Sequence, residues 1–224
     1  MKLMVVGGGG REHALIRMLK KNPEVEKIYA LPGNGGIAQD AQCVEIKATD
    51  IEGVARFAAE NRIDFAVVAP DDPLAMGCVD RLHALGVPCF GPEARAAEIE
   101  ASKVFSKRLM QKYGIPTAKC EVFDDAEAAL AYVRGTPAPL VVKADGLALG
   151  KGVLICKSTR EAEEAVKHTM CDHAFGKSGD RVVIEEFLEG PEVSVLAFTD
   201  GKAMVPMVSS MDHKRALDGD EGLN

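Results

Sequence analysis

Lys143 closes an apolar run, Leu140-Val141-Val142, and leads into Ala144-Asp145-Gly146-Leu147-Ala148-Leu149-Gly150-Lys151-Gly152 before a second run, Val153-Leu154-Ile155. Two cations and three glycines between β-forming runs suit one kind of chemistry, the covering of a phosphate. Glycines let backbone N–H groups approach an anion closely, and lysines supply the charge. The flanking runs read as strands, so the glycines form a loop over a sheet edge. This is not a Walker A loop, because Lys151 is followed by Gly152 rather than by Ser or Thr and a helix. Taken alone, the segment also fits a solvated hairpin with a basic turn.

Three other stretches carry chemistry. Gly7-Gly8-Gly9-Gly10-Arg11-Glu12-His13 joins a strand to a helix, which offers backbone donors, a helix dipole and a guanidinium fork to an anion. A dinucleotide site would place a carboxylate at the end of the second strand, but that strand ends Tyr29-Ala30-Leu31-Pro32. NAD binding is therefore disfavoured; a small phosphorylated substrate or a plain tight turn remains, with His13 as a surface or capping histidine. Glu185-Glu186-Phe187-Leu188 closes one strand ahead of Glu192. Main-chain groups there could meet an adenine, Phe187 and Leu188 could seat it, and Glu192 could accept from ribose hydroxyls; an exposed acidic turn is the other reading. Asp212-His213-Lys214-Arg215 mixes a carboxylate with fixed cations directly after a strand, as a site holding an anion and a zwitterion together would, or as a solvated charge run does. His168 and His173 read as surface residues.

The elements that must position these residues come from hydrophobic periodicity and turn signals. Strands are expected at Lys2–Val6, Lys27–Ala30, Cys43–Ile46, Phe65–Ala69 and Pro88–Phe90. They alternate with helices over 11–20 (Ala14, Leu15, Met18 and Leu19 on the buried face), 50–61 and from Pro70-Asp71 through His83. That alternation implies a parallel sheet covered on both faces, a doubly wound α/β domain over residues 1–92. Gly91-Pro92 marks the boundary. A second α+β unit over 93–224 follows, with a lid over about 118–187: a helix over 94–113 interrupted near Ser102-Lys103, strand Ala118–Phe123, a helix from Asp125, the glycine-loop hairpin, helix Thr159–Met170 and strand Val182–Phe187. Two further strands, Val193–Thr199 and Ala203–Val208, are expected to continue its sheet.

The 224 residues carry 22 glycines, 11 prolines and a formal charge of −7. An acidic balance speaks against a general nucleic-acid binder but not against a nucleotide, which needs only local positive charge. Six cysteines without a CxxC pair read as reduced thiols in apolar surroundings. No apolar run approaches a membrane span and no signal peptide is legible, so a cytoplasmic location is expected.

Together these motifs resemble the phosphoribosylamine–glycine ligase family of ATP-grasp enzymes. The resemblance runs from Met1 to Asn224 through Gly9-Gly10-Arg11-Glu12-His13, Pro32-Gly33-Asn34, Phe90-Gly91-Pro92, Lys143–Ala148 with Gly150–Val153, Glu185–Leu188 and Asp212–Arg215. It implies a doubly wound N-terminal domain followed by an ATP-grasp domain, and the ATP-dependent joining of glycine to 5-phosphoribosylamine through glycyl phosphate. It also implies roles. Lys103 and Lys143 would contact ATP phosphates, with Gly146, Gly150, Lys151 and Gly152 closing over them. Glu185, Glu186, Phe187 and Leu188 would seat adenine, with Glu192 on ribose. Gly9, Gly10, Arg11, Glu12, Pro70, Asp71, Asp212 and Lys214 would meet the substrates, and Lys143, Asp212 and Lys214 would be catalytic.

Two local departures stand out. The family usually has Gly-Pro-Glu where this chain has Ala69-Pro70-Asp71, one methylene shorter, and Gln where it has Met211. The chain also stops at about half the family's length, so it reads as an N-terminal portion with an incomplete ATP-grasp domain. Its magnesium ligands are expected beyond Asn224, and the 224-residue chain is expected not to form product. A non-catalytic ATP- or phosphosugar-binding module is the alternative.

Overall fold

A computed structural model describes residues 1–148, 151–211 and 217–219. The first five strands are β1 (Lys2–Gly7), β2 (Lys27–Pro32), β3 (Gln42–Cys43), β4 (Phe65–Val68) and β5 (Cys89–Phe90), all parallel, in the order β3-β2-β1-β4-β5. Helices α1 (Gly10–Leu19), α2 (Ile51–Asn61), α3 (Asp71–Ala75) and α4 (Cys78–Ala84) connect them. Alternate residues of β1 face opposite ways. Met4 and Val6 join a core with Val54, Ala58, Val79 and Leu82 from α2 and α4, whereas Leu3 and Val5 join one with Ile16 of α1. This is the doubly covered sheet that the alternation predicts.

Local differences have local causes. Helix α1 buries Glu12 and Ile16, not Ala14, Leu15 and Met18; Met18 is 62% exposed. The Glu12 carboxylate accepts the Gly9 N–H, half of a capping box, and this turns the 12/16 face inward. Strand β3 is shorter than expected because the Ile46 N–H turns back onto the Val44 carbonyl at 2.7 Å. The helix expected through His83 is two helices, parted at Gly77, whose φ of +81° lies in the left-handed region.

Helices α5 (Ala94–Ala101) and α6 (Lys103–Tyr113) are separated at Ser102, whose hydroxyl caps α6 by accepting the Phe105 N–H at 3.1 Å. Then come β6 (Cys120–Phe123), α7 (Ala126–Gly135), β7 (Leu140–Ala144), β8 (Val153–Cys156), α8 (Thr159–Val166), a π-type turn over Lys167–Cys171 in place of the last expected turn of α8, and β9 (Val182–Glu186). These four strands form an antiparallel sheet in the order β6-β9-β7-β8. Leu140, Val142, Val182 and Ile184 pack on Leu130, Val133, Ala162 and Val166 of α7 and α8. The intervening residues, among them Lys143 and Glu185, therefore project from the opposite face.

Residues 1–187 form one compact unit and residues 188–224 a second. In the second, β10 (Ala197–Thr199) and β11 (Met204–Pro206) are shorter than expected and, among the described residues, pair with each other as a two-stranded antiparallel sheet. Among the described residues no helix is long and apolar enough to cross a membrane.

Candidate functional site

Sheet register sets the centre of the site. In the β7/β9 pair Lys143 lies opposite Val183 and Val141 opposite Glu185, so Lys143 and Glu185 are diagonal neighbours on the face away from α7 and α8. Lys143 Nζ donates to Glu185 Oε2 at 2.9 Å. A second cation reaches the same carboxylate from α6. Lys107 Nζ lies 3.3 Å from Glu185 Oε1 and donates to Thr117 Oγ1 at 2.7 Å and the Ala118 carbonyl at 3.1 Å. Glu185 and Lys107 are 5% and 6% exposed, so each charge depends on its partner rather than on water. Lys107 lies four residues after Lys103, on the same side of α6, and that spacing was the signal available for it in the sequence.

Lys103 opens α6 and is half-buried. Its Nζ donates to the Gly146 carbonyl at 3.0 Å, and its backbone N–H to the Asp145 carbonyl at 3.0 Å. Burial pushes its ammonium below the usual lysine range, opposed by the nearby Asp145 charge. Asp145 is 6% exposed. Its Oδ1 accepts from Ser102 Oγ at 2.9 Å and the Val104 N–H at 2.8 Å, and its Oδ2 pairs with Arg181. Asp145 was read in the sequence only as part of a motif; the fold makes it the tie between α6 and the glycine loop.

The base of that loop is anchored on both sides. The Gly146 N–H donates to the Ser178 carbonyl at 3.3 Å, Ser178 Oγ donates to the Leu147 carbonyl at 2.8 Å, and a Cβ on Gly146 would collide with Ser178. The buried Gly152 accepts the Ala144 N–H at 2.9 Å, while Lys151 is exposed. Gly150, Asp212 and Lys214 lie outside the described residues. Glu186 is half-buried, and its Oε1 accepts the Lys119 N–H at 2.8 Å; Phe187 is half-buried. Leu188 and Glu192 belong to the second unit and are exposed there.

The other sequence-predicted residues gather at the carboxyl end of the parallel sheet. The chain reaches both sides of β1, so this is the edge where strand order reverses. Gly7 has φ +128°, and a Cβ there would stand 2.6 Å from Glu12 Cγ and 3.0 Å from Pro70 Cγ; the turn after β1 and the turn after β4 are in contact. Asn34 Nδ2 donates to the Gly8 carbonyl at 2.7 Å, and its Oδ1 accepts the Ile37 N–H at 2.8 Å. Gly9, Gly10, Arg11 and Asp71 are exposed along this edge and Pro70 is half-buried. Glu12 is 5% exposed and shapes the turn from inside. His13 Nε2 lies 3.0 Å from Asp40 Oδ2, and that contact, with Lys20, holds the Asp40 carboxyl below the usual range.

The free thiols of Cys78 and Cys89 are raised by burial to about 12 and about 11. Cys78 and Cys156 are buried, as the sequence suggested, whereas Cys171 is exposed. Among the described residues no group of three or more His, Cys, Asp or Glu is arranged to hold a metal ion.

Comparison with known proteins places these features in order along a family. Residues 1–100 match the family model for the phosphoribosylglycinamide synthetase N domain, and residues 101–224 that for the phosphoribosylglycinamide synthetase ATP-grasp (A) domain. The chain is 48% identical over 226 residues to a phosphoribosylamine–glycine ligase of Xanthomonas axonopodis pv. citri and 50% identical over 224 residues to one of Ralstonia nicotianae. Both matches cover 100% of this chain, with 52% and 53% of the relatives. The crystal structure of phosphoribosylamine–glycine ligase from Thermotoga maritima superposes with a TM-score of 0.83 at 32% identity, covering 100% of this chain and 53% of that one. The chain thus spans about half the length of the curated relatives it matches.

Proposed function

The chain belongs to the phosphoribosylglycinamide synthetase family, and from that premise we propose that it is the half of a phosphoribosylamine–glycine ligase that carries most of the ATP groove and part of the substrate edge. One observation carries the reading: Lys103 and Lys143, forty residues apart, stand together at the base of a glycine loop in a chain matched from end to end by the family's two domain models. Residues 1–92 are read as the substrate-edge domain and 93–224 as the ATP-grasp part, with a lid over about 118–187. A cytoplasmic biosynthetic enzyme is the matching setting.

The chemistry asked of the site is positioning and charge neutralisation. A carboxylate is a poor electrophile, so ATP would phosphorylate glycine to glycyl phosphate, releasing ADP. The amine of 5-phosphoribosylamine would then attack the acyl carbon, lose a proton and expel phosphate, leaving the amide glycinamide ribonucleotide. Lys103 and Lys143 would offset phosphate charge under a cover formed by Gly146, Gly150, Lys151 and Gly152. Glu185, Glu186, Phe187 and Leu188 would form the adenine seat, with Glu192 at the ribose. Gly9, Gly10 and Arg11 at the helix N-terminus, with Pro70 and Asp71, suit the sugar phosphate. Glu12 would act by holding that turn. Asp212 and Lys214 would meet glycine and the transferred phosphoryl group.

ATP-grasp enzymes use magnesium. The described residues do not fit a resident magnesium site: no acidic cluster is present among them, Asp145 is saturated by Ser102, Val104 and Arg181, and Glu185 faces two lysines. The half-length match favours a second reading of the chain on its own, a module that binds ATP or a phosphosugar without turnover. Equilibrium titration with ATP, followed by a product assay with all three substrates, tests both. Absence of ATP binding sinks the shared premise. Product formed only when the remaining half of a relative is added supports the ligase reading over the module.

A further inference from the structure

We propose that Lys107 is a positioning residue that keeps the Glu185 carboxylate neutralised, so that Lys143 can pass from Glu185 to a phosphate of ATP. The inference rests on the ATP-binding reading above. Three charged groups, two ammoniums and one carboxylate, meet on the sheet face opposite α7 and α8. The two lysines are not equivalent. Lys143 has a side chain 26% exposed, whereas that of Lys107 is 8% exposed. An ammonium has three donor directions. Two of those on Lys107 are taken by Thr117 Oγ1 and the Ala118 carbonyl in the segment leading to β6, so Lys107 is fixed and Lys143 is the cation that a ligand can reach.

A buried carboxylate left without a partner is strongly unfavourable. If Lys143 were the sole partner of Glu185, its transfer to a phosphate would strand that charge and cancel much of the new contact. Lys107 removes the penalty. Glu185 Oε1 is fully buried and accepts no hydrogen bond, although the Lys107 ammonium lies 3.3 Å away at an unfavourable angle. That oxygen therefore has acceptor capacity which a small rotation of the carboxylate would direct to Lys107 as Lys143 leaves. The site carries one more cation than its carboxylate needs, and the surplus is on the exposed member.

The test is ATP affinity of the 224-residue chain, by calorimetric titration, in wild type, K107M, K107R, E185Q and K107M/E185Q, with thermal melts confirming the fold. Without Lys107, Glu185 should retain Lys143, so K107M is expected to weaken ATP binding about tenfold or more, while K107R, which keeps the charge, stays within about threefold. With Glu185 neutral there is nothing left to compensate, so adding K107M to E185Q should change the affinity less than about twofold. Equal weakening by K107M in both backgrounds, or none in either, overturns the proposal. If K107M does not fold, K107Q supplies the same neutral comparison. A wild-type chain that binds no ATP overturns the functional reading and this inference together; wild-type binding with unaltered K107M overturns this inference alone.

Discussion

Asp145 Oδ1 accepts the backbone N–H of Val104 at 2.8 Å across forty-one positions of sequence. A buried carboxylate at the end of β7 thereby acts as a second cap on α6, beside the local cap from Ser102 and next to the helix's positive end. It also joins the helix bearing Lys103 and Lys107 to the strand that enters the glycine loop. Replacing it with alanine leaves the Val104 N–H and the Arg181 fork without their partner. D145A is expected to lose about 2–4 kcal/mol of unfolding free energy, and D145N, which keeps the acceptor, about half as much. Urea denaturation measures both; equal losses would show that the charge accounts for the whole effect and the neutral acceptor for none of it.

Lys143 should matter for ligand and little for fold. Its ammonium is partly exposed and Glu185 keeps Lys107 when it is removed. K143M is expected to weaken ATP binding about ten- to a hundredfold while the denaturation midpoint stays near wild type. Loss of the folded state in K143M would mean that the ion pair is chiefly structural.

Two glycines are required by close approach rather than by flexibility. Gly7 has a left-handed φ and no room for a Cβ between Glu12 and Pro70; Gly146 has none against Ser178. G7A is expected to destabilise by about 2–4 kcal/mol and to weaken binding of a sugar phosphate at the strand-order reversal. G146A, in contrast, should displace the Ser178 turn and weaken ATP more than ribose phosphate. Paired titrations of the two ligands against the two variants distinguish the sites; identical losses would argue against separate sites.

Alkaline pH should destabilise the fold through buried thiols. Burial raises Cys78 from 9.0 to about 12 and Cys89 to about 11. Between pH 9 and those values the unfolded chain has lost a thiol proton that the folded chain retains, so unfolding releases protons and stability falls as pH rises. Below pH 9 both states are protonated and the effect is absent. Denaturation midpoints for wild type and C78A across pH 8–11 check this; the variant's slope should be flatter by about one proton. In native protein a thiol reagent should label Cys171 well before Cys78 or Cys156.

Much of the fold was legible because its signals are local. The β-branched runs of β1, β4, β7 and β9, the Asp50 cap before α2 and the left-handed Gly114 after α6 mark their elements whatever the rest of the chain does. Errors arose where a tertiary contact outweighs the local pattern. The Glu12 bond to Gly9 rotates α1 against its own apolar stripe, and the segments around β10 and β11 look like strands of a larger sheet because Val193, Val195, Leu196, Phe198, Val205 and Met207 make them apolar. In the site, Lys143 and the glycines could be read from spacing. Lys107 had only its four-residue spacing from Lys103 and Asp145 only its place in a motif, since a lysine in a helix is ordinarily solvated and an aspartate in a glycine loop ordinarily caps its own turn. Only the meeting of α6 with β7 and β9 gives them their roles.

The same charge arrangement predicts how the chain should respond to removal of magnesium. An ATP site completed by acidic metal ligands prefers the magnesium complex, because free ATP would face uncompensated carboxylates. Here Lys103 and Lys143 stand at the loop base, and the carboxylates beside them, Asp145 and Glu185, are already paired with Arg181 and Lys107. Positive charge with no acidic metal-ligand cluster among the described residues favours the more highly charged anion, and screening by salt should weaken it. The 224-residue chain is therefore expected to bind free ATP at least as tightly as magnesium ATP, with affinity falling as ionic strength rises. Titrations with and without a chelator, each at two ionic strengths, check this. A clear preference for the magnesium complex would reveal metal ligands that the described residues do not supply.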